Sequence, residues 1–172
     1  MIDSSIRFFG DLRPFYAMVA SGAAEPLTIW HDTGHSVYAA THPAMYSFLS
    51  IGQAQAKRSE MLESGTMFIQ RSDFAKEAVK WHLLCGLTEE CISPKGARLG
   101  CSFDKDRYNV YANCHRYDQS AINLIVSSLL IRDNVVSGRL GRDGFDNFTK
   151  FERGRSLKGP LRIPCDERIV RV

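Results

Sequence analysis

The sequence predicts an α/β domain in which a few short strands alternate with flanking helices. Three observations carry that class. Short apolar runs bounded by polar turns occur at 26–32 and 64–72. Two longer stretches, 73–88 and 117–130, repeat their apolar residues at helical spacing. The 172 residues suffice for one domain with a real core, and 44% apolar against 24% charged residues is a globular balance.

Taken in order, "MIDSSIRFFG" begins in the middle of a strand and its exit turn, with no earlier element to pair with. It carries neither a basic start nor an apolar h-region. A fragment, or a chain that continues upstream, is therefore expected. "DLRPFYAMVASG" (11–22) reads as a short helix ending at Gly22. "PLTIWHD" (26–32) reads as a buried strand ending in a polar turn. In "THPAMYSFL" (41–49), Thr41 is the expected N-cap and Pro43 sits in the first turn. Met45, Phe48 and Leu49 then share a face.

"SGTMFIQRS" (64–72) reads as a strand that starts from Gly65. Met67 and Ile69 point one way and Phe68 the other, which predicts cover on both sides. Ser72 is the cap of the next helix and Asp73 complements its dipole. Over 73–88, Phe74, Ala78, Trp81 and Cys85 form a stripe that Ala75, Val79, His82 and Leu83 widen. Residues 91–101 are loop, punctuated by Pro94, Gly96 and Gly100, and 107–113 is short and extended. Over 117–130, Ile122, Ile125 and Leu129 share a face with Ala121 and Leu124. From 133 the periodicity is lost, so 133–172 reads as an irregular Gly- and Arg-rich arm of the domain formed by 1–132.

The net charge of +3 is mild, so no nucleic-acid or membrane surface is expected. No apolar run approaches the roughly 18–20 residues of a membrane helix. Four of the five cysteines, Cys85, Cys91, Cys101 and Cys114, are clustered, and no CxxC pair or common zinc spacing is present. Two disulfides among them, in one of three connectivities, compete with buried free thiols. Cys165 is the odd one. The sequon Asn147-Phe148-Thr149 agrees with a secretory route.

Candidate sites gather in two stretches. In "NCHRYDQSAIN" (113–123), Asp118 and Gln119 fall in a first helical turn, where free N–H groups and the positive dipole end collect. Asp118 reads either as a capping acid or as a group that handles a hydroxyl or a proton in a cleft. His115 and Arg116 lie just before it. Neighbours in sequence rarely face each other, so a Cys114–His115 nucleophilic pair is disfavoured. In "HDTGH" (31–35) with His42, a polar loop at a strand end makes Asp32, His35 and His42 substrate-contact candidates, against hydrogen-bonded turn residues. The same stretch, His31 included, permits a zinc or iron reading. Asp3 with Ser5 is a weaker oxygen-ligand candidate for a divalent cation.

Five stretches in order carry a resemblance: "DSSIRF" (3–8), "DTGHSVYAATHPAMYSFL" (32–49), "SGTMFIQRS" (64–72), "WHLLCGLTEECISP" (81–94) and "YANCHRYDQSAIN" (111–123). Together, over about residues 1–130, they resemble a domain family of unknown function abundant in nematodes and present in other invertebrates. That family looks like the GT-A, nucleotide-diphospho-sugar transferase fold. The resemblance implies a partial GT-A-like mixed-sheet domain that lacks most of its nucleotide-binding half and so need not be active alone. It implies that Asp3 and Ser5 match the tail of an acidic D-x-D-like motif, with Ser5 where a second acid is expected. It implies that Asp118 and Gln119 face the sugar, with His115 and Arg116 nearby. The implied ligands are a nucleotide-sugar donor with Mn²⁺ or Mg²⁺ and a glycan or other hydroxyl acceptor. The implied setting is the Golgi lumen, reached through an N-terminal membrane anchor outside this chain.

Three functions follow from these readings. The first is a glycosyltransferase-like protein that moves a sugar from a nucleotide-sugar to a hydroxyl. The second is a non-catalytic secretory domain that binds a glycan or a protein. The third is a metallohydrolase built on His31, Asp32, His35 and His42.

Overall fold

The computed structural model describes residues 6–22, 26–29, 31–49, 51–133 and 149–153. The elements run β1 (Ile6–Gly10), α1 (Arg13–Ala20), β2 (Leu27–Ile29), β3 (Asp32–Ser36), a 3-10 turn (Pro43–Ser47), α2 (Gln53–Arg58), β4 (Glu60–Leu62), β5 (Met67–Ile69), α3 (Asp73–Gly86), α4 (Glu89–Ile92), α5 (Tyr117–Arg132) and β6 (Thr149–Arg153). The strands pair as three two-stranded antiparallel ladders, β1–β6, β2–β5 and β3–β4. The mixture of helix and strand agrees with the predicted α/β class at that coarse level.

The long helix α5 is the core of the molecule. Ala121, Ile122, Leu124, Ile125, Val126 and Leu129 are buried, and so are Gln119, Ser120 and Asn123. It packs against α3, α4 and β4. A helix buried nearly all round needs internal partners for its polar side chains. Asn123 supplies them: its Oδ1 accepts from Leu62 N at 2.9 Å, and its Nδ2 donates to Leu62 O and Gln119 O, both at 2.9 Å. The amide thus stands in for a neighbouring strand along β4. Gln119 Nε2 adds a bond to Leu62 O at 3.1 Å.

Two disulfides staple the loops around α5. Cys85 at the end of α3 bonds Cys91 in α4, and Cys101 bonds Cys114 just before α5. Of the three possible connectivities, the chain therefore adopts the one that joins sequence neighbours. Bonded pairs mark a protein of an extracellular or secretory-type compartment. Among the described residues no helix is long and apolar enough to cross a membrane. Cys165 and the sequon at Asn147 lie outside the described residues. Within the 133–172 arm, Thr149–Arg153 form β6, which pairs with β1 from Gly10↔Thr149 to Ile6↔Arg153.

Several local expectations are corrected. Asp32–His35 of "HDTGH" lie in strand β3 rather than in a polar turn. A register irregularity between Asp32 and Ser36, with Gly34 at φ 70°, lets the Glu60 carboxylate accept from Gly34 N at 2.7 Å and His35 N at 3.3 Å. His42, not Thr41, caps the 3-10 turn, accepting from Ala44 N through Nδ1. Ile69 is 39% exposed although Met67 is buried, because β5 ends there and, among the described residues, pairs with β2 alone. On α3, Ser72 caps as expected, its Oγ accepting from Ala75 N at 3.0 Å. The buried stripe, however, is the narrow line Ala75, Ala78 and Cys85. Small residues bring α3 close to α5 and leave the larger Val79, Trp81 and Leu83 exposed at the edges.

Candidate functional site

The segment that leads into α5 is strained and over-determined. Asn113 and Tyr117 adopt positive φ, 54° and 43°. Asparagine tolerates this region, but a bulky residue such as tyrosine is a real outlier costing about 1–2 kcal/mol. Between them, Cys114 and His115 are fully buried. The Cys101–Cys114 disulfide anchors one and a set of hydrogen bonds anchors the other. His115 N donates to Arg98 O at 2.7 Å, and Arg98 Nε donates to Asn113 O at 2.6 Å. Arg116 N reaches Ala40 O at 3.2 Å, and Ser120 Oγ donates to the same carbonyl at 3.1 Å.

The His115 ring is a neutral cross-link. Its Nδ1 accepts from His42 N at 3.2 Å and its Nε2–H donates to Ile92 O at 3.1 Å. These partners assign the tautomer. Burial pushes its pKa down, the Ile92 carbonyl opposes that, and His42 reinforces it. The ring therefore joins the turn at His42, the end of α4 and the start of α5. The His42 ring lies 6.5 Å away and the Tyr117 ring 5.1 Å away.

Gln119 is buried, with Nε2 on Leu62 O and Oε1 accepting from Arg116 Nε at 3.3 Å. Arg116 is half-buried. Asp118, one residue from both left-handed Tyr117 and buried Gln119, is exposed. Its Oδ2 accepts from Ser64 Oγ at 3.2 Å, and Ser64 belongs to the turn between β4 and β5. The sequence thus brings four predicted residues, His115, Arg116, Asp118 and Gln119, to one place. The structure gives them different jobs: three hold the segment and one carboxylate faces outward.

The "HDTGH" residues go elsewhere. His35 is buried, its Nδ1–H donating to Ser36 O at 3.1 Å and its ring 4.7 Å from Phe103, over which Arg107 sits at 4.4 Å. Burial lowers its pKa, with Ser36 opposing and Arg107 reinforcing. Asp32 is half-buried and lies opposite Leu62 in the β3–β4 ladder, one strand from Gln119 and Asn123. His42 touches the His115 cluster instead. His31, Asp32, His35 and His42 therefore do not converge, and among the described residues no group of three His, Cys, Asp or Glu side chains forms a metal-ligand set. Asp3 and Ser5 lie outside the described residues.

Sequence reasoning did not single out Ser64 or the Glu60–Tyr108 pair, in which Tyr108 Oη donates to Glu60 Oε2. The Glu60 carboxylate pushes the Tyr108 pKa up. It also missed Asn123. The available signal was a polar i, i+4 pair, Gln119 and Asn123, inside an otherwise apolar helical repeat.

No protein-family model, curated protein or solved structure matches the chain.

Proposed function

We propose that the chain is the acceptor-side part of a GT-A-like glycosyltransferase of the secretory lumen, Golgi being the compartment its sequence resemblance implies. One observation carries the proposal. A strained, disulfide-anchored segment, whose His115 ring, Arg116 and Gln119 are hydrogen-bonded to the chain, leads to the exposed carboxylate of Asp118. Strain held by surrounding structure concentrates at functional sites, and a rigid supporting shell is what a positioned reacting group requires. Ser64 occupies Oδ2 of Asp118, which leaves Oδ1 to take a proton.

The chemistry then follows. An acceptor hydroxyl docks against Asp118 and gives it its proton. The acceptor oxygen forms a bond to the anomeric carbon of the donor as the bond to the diphosphate oxygen breaks, and the nucleoside diphosphate leaves. Gln119, buried on the β4 backbone, is a positioning residue rather than a sugar contact in this account. Asp3 and Ser5 would hold a Mn²⁺ or Mg²⁺ ion, which would neutralise charge on the departing diphosphate.

The test is release of nucleoside diphosphate from a panel of UDP-, GDP- and dTDP-sugars, with oligosaccharide acceptors, by the full-length protein secreted from eukaryotic cells. Turnover that requires an acceptor supports the reading. Absence of turnover and of product mass with every donor in the full-length protein would refute it. A second reading, a non-catalytic secretory glycan- or protein-binding domain, has its own support: His35, His115 and Gln119 spend their polar atoms on the chain itself.

A further inference from the structure

A separate cavity of about 370 Å³ opens between α3, the C-terminal half of α5 and the end of the 3-10 turn. Its Ser128 lies ten residues along α5 from Asp118, or about 15 Å at helical rise. The size falls within the range of small-ligand sites. Phe48, Trp81 and Ile131 line it and are 45%, 42% and 52% exposed, so its mouth is apolar and open. Leu129 lies at its floor, buried.

The polar groups are few and specific. Glu77 Oε1 accepts from the Trp81 indole N–H at 2.9 Å and lies 3.4 Å from both Lys80 Nζ and Arg132 Nη1. Chiefly through the indole bond, the Glu77 carboxyl is held below its usual range, so it is an ionised acceptor. All three donors converge on one oxygen, so Oε2 keeps its lone pairs for another donor. Arg132 is held by Glu77 and by Asp133, whose Oδ1 lies 2.7 Å from Nε. The charges at the mouth are thus already matched, and a charged ligand would have to break a pair to gain one.

We propose that this cavity is a carbohydrate-binding subsite that takes one neutral pyranose residue. The apolar C–H face of the sugar lies on the Phe48 ring and on the Trp81 face opposite Lys80, whose Nζ sits 4.9 Å from the indole centroid, and its hydroxyls donate to Glu77 Oε2. A flat ligand suits the rings, a neutral one suits the paired charges, and a hydroxyl suits the open oxygen. A purely apolar ligand would strip water from Oε2 and give it no donor. The subsite stands apart from Asp118, so it does not depend on transfer chemistry.

The test is saturation-transfer NMR with the methyl glycosides of glucose, galactose, mannose and N-acetylglucosamine at millimolar concentration. At least one glycoside is expected to bind saturably. Trp81→Ala should weaken it about tenfold or more, the loss typical of an aromatic anchor, and Glu77→Gln should weaken it less. Leu87→Ser, an exposed apolar change outside the cavity, should leave it unchanged and controls for folding. Saturable binding unaltered in Trp81→Ala would overturn the assignment. So would no glycoside binding, or dodecanoate binding at Trp81 that glycosides do not displace.

Discussion

Asn123→Leu removes the amide that serves as a strand for β4 while keeping the number and branching of its heavy atoms. In the wild type, Asn123 is 1% exposed and makes three bonds, two of them to Leu62. Leu62 O keeps Gln119 Nε2 in the variant. Leu62 N–H loses its acceptor in a buried position, which costs about 1–3 kcal/mol. The two lost donor bonds add about 0.5–1.5 kcal/mol each, and the buried leucine returns about 1.5–3 kcal/mol. The net expectation is a loss of about 1–3 kcal/mol, or a melting temperature lower by roughly 2–12 °C for a domain of this size. Urea unfolding with the disulfides intact reads it as a shifted midpoint with an unchanged slope. Asn123→Asp offers a control. It keeps an acceptor for Leu62 N–H but places a buried carboxylate against Leu62 O, so its penalty should shrink as acid protonates it. An Asn123→Leu variant within about 0.5 kcal/mol of wild type, a typical surface effect, would refute the strand-substitute role.

Acid should destabilise the protein through His35 and His115. Burial lowers both pKa values, so the folded state keeps these rings neutral. Below about 6.5, the unfolded histidine value, the unfolded chain binds more protons, and stability falls by up to about 1.4 kcal/mol per pH unit for each ring until the folded pKa is reached. The stabilisation is complete above that unfolded value. Urea midpoints that stay flat from about pH 7 to about pH 5 would contradict this, and the fall should be halved in His35→Phe. The two disulfides close loops of sequence separation 6 and 13. Loop-closure entropy gives them about 2 and about 3 kcal/mol. Non-reducing peptide mapping should recover Cys85–Cys91 and Cys101–Cys114, and Cys101→Ser with Cys114→Ser should cost more than the matching pair at Cys85 and Cys91.

Features set by local chemistry were legible in the sequence. Ser72 announces the start of α3, the apolar repeat announces α5, and the clustered cysteines announce disulfides. Features set by tertiary partners were not. "HDTGH" is poor in strand-forming residues, and it becomes a strand because the Glu60 carboxylate and the β4 backbone satisfy it. The three-residue strand "EML" is too short to show any alternation. On α3, helical spacing predicted a wide buried face, but alanine-to-helix contact selects only a narrow one. The grouping around Asp118 was visible as a cluster of functional residue types. Which of them is held and which is presented depends on carbonyls from Ala40, Leu62 and Ile92, which no local pattern reveals.

The most direct test of the account is Asp118→Asn, because Asp118 is exposed and its single side-chain bond to Ser64 is replaceable. Loss of the helix N-terminal charge should lower stability by no more than about 0.3–1 kcal/mol. Acceptor-dependent release of nucleoside diphosphate should fall by about 10²–10⁴-fold, the usual contribution of a positioned acid–base group. A variant with full turnover, or one that loses turnover only in step with its unfolding midpoint, would contradict the role assigned to Asp118.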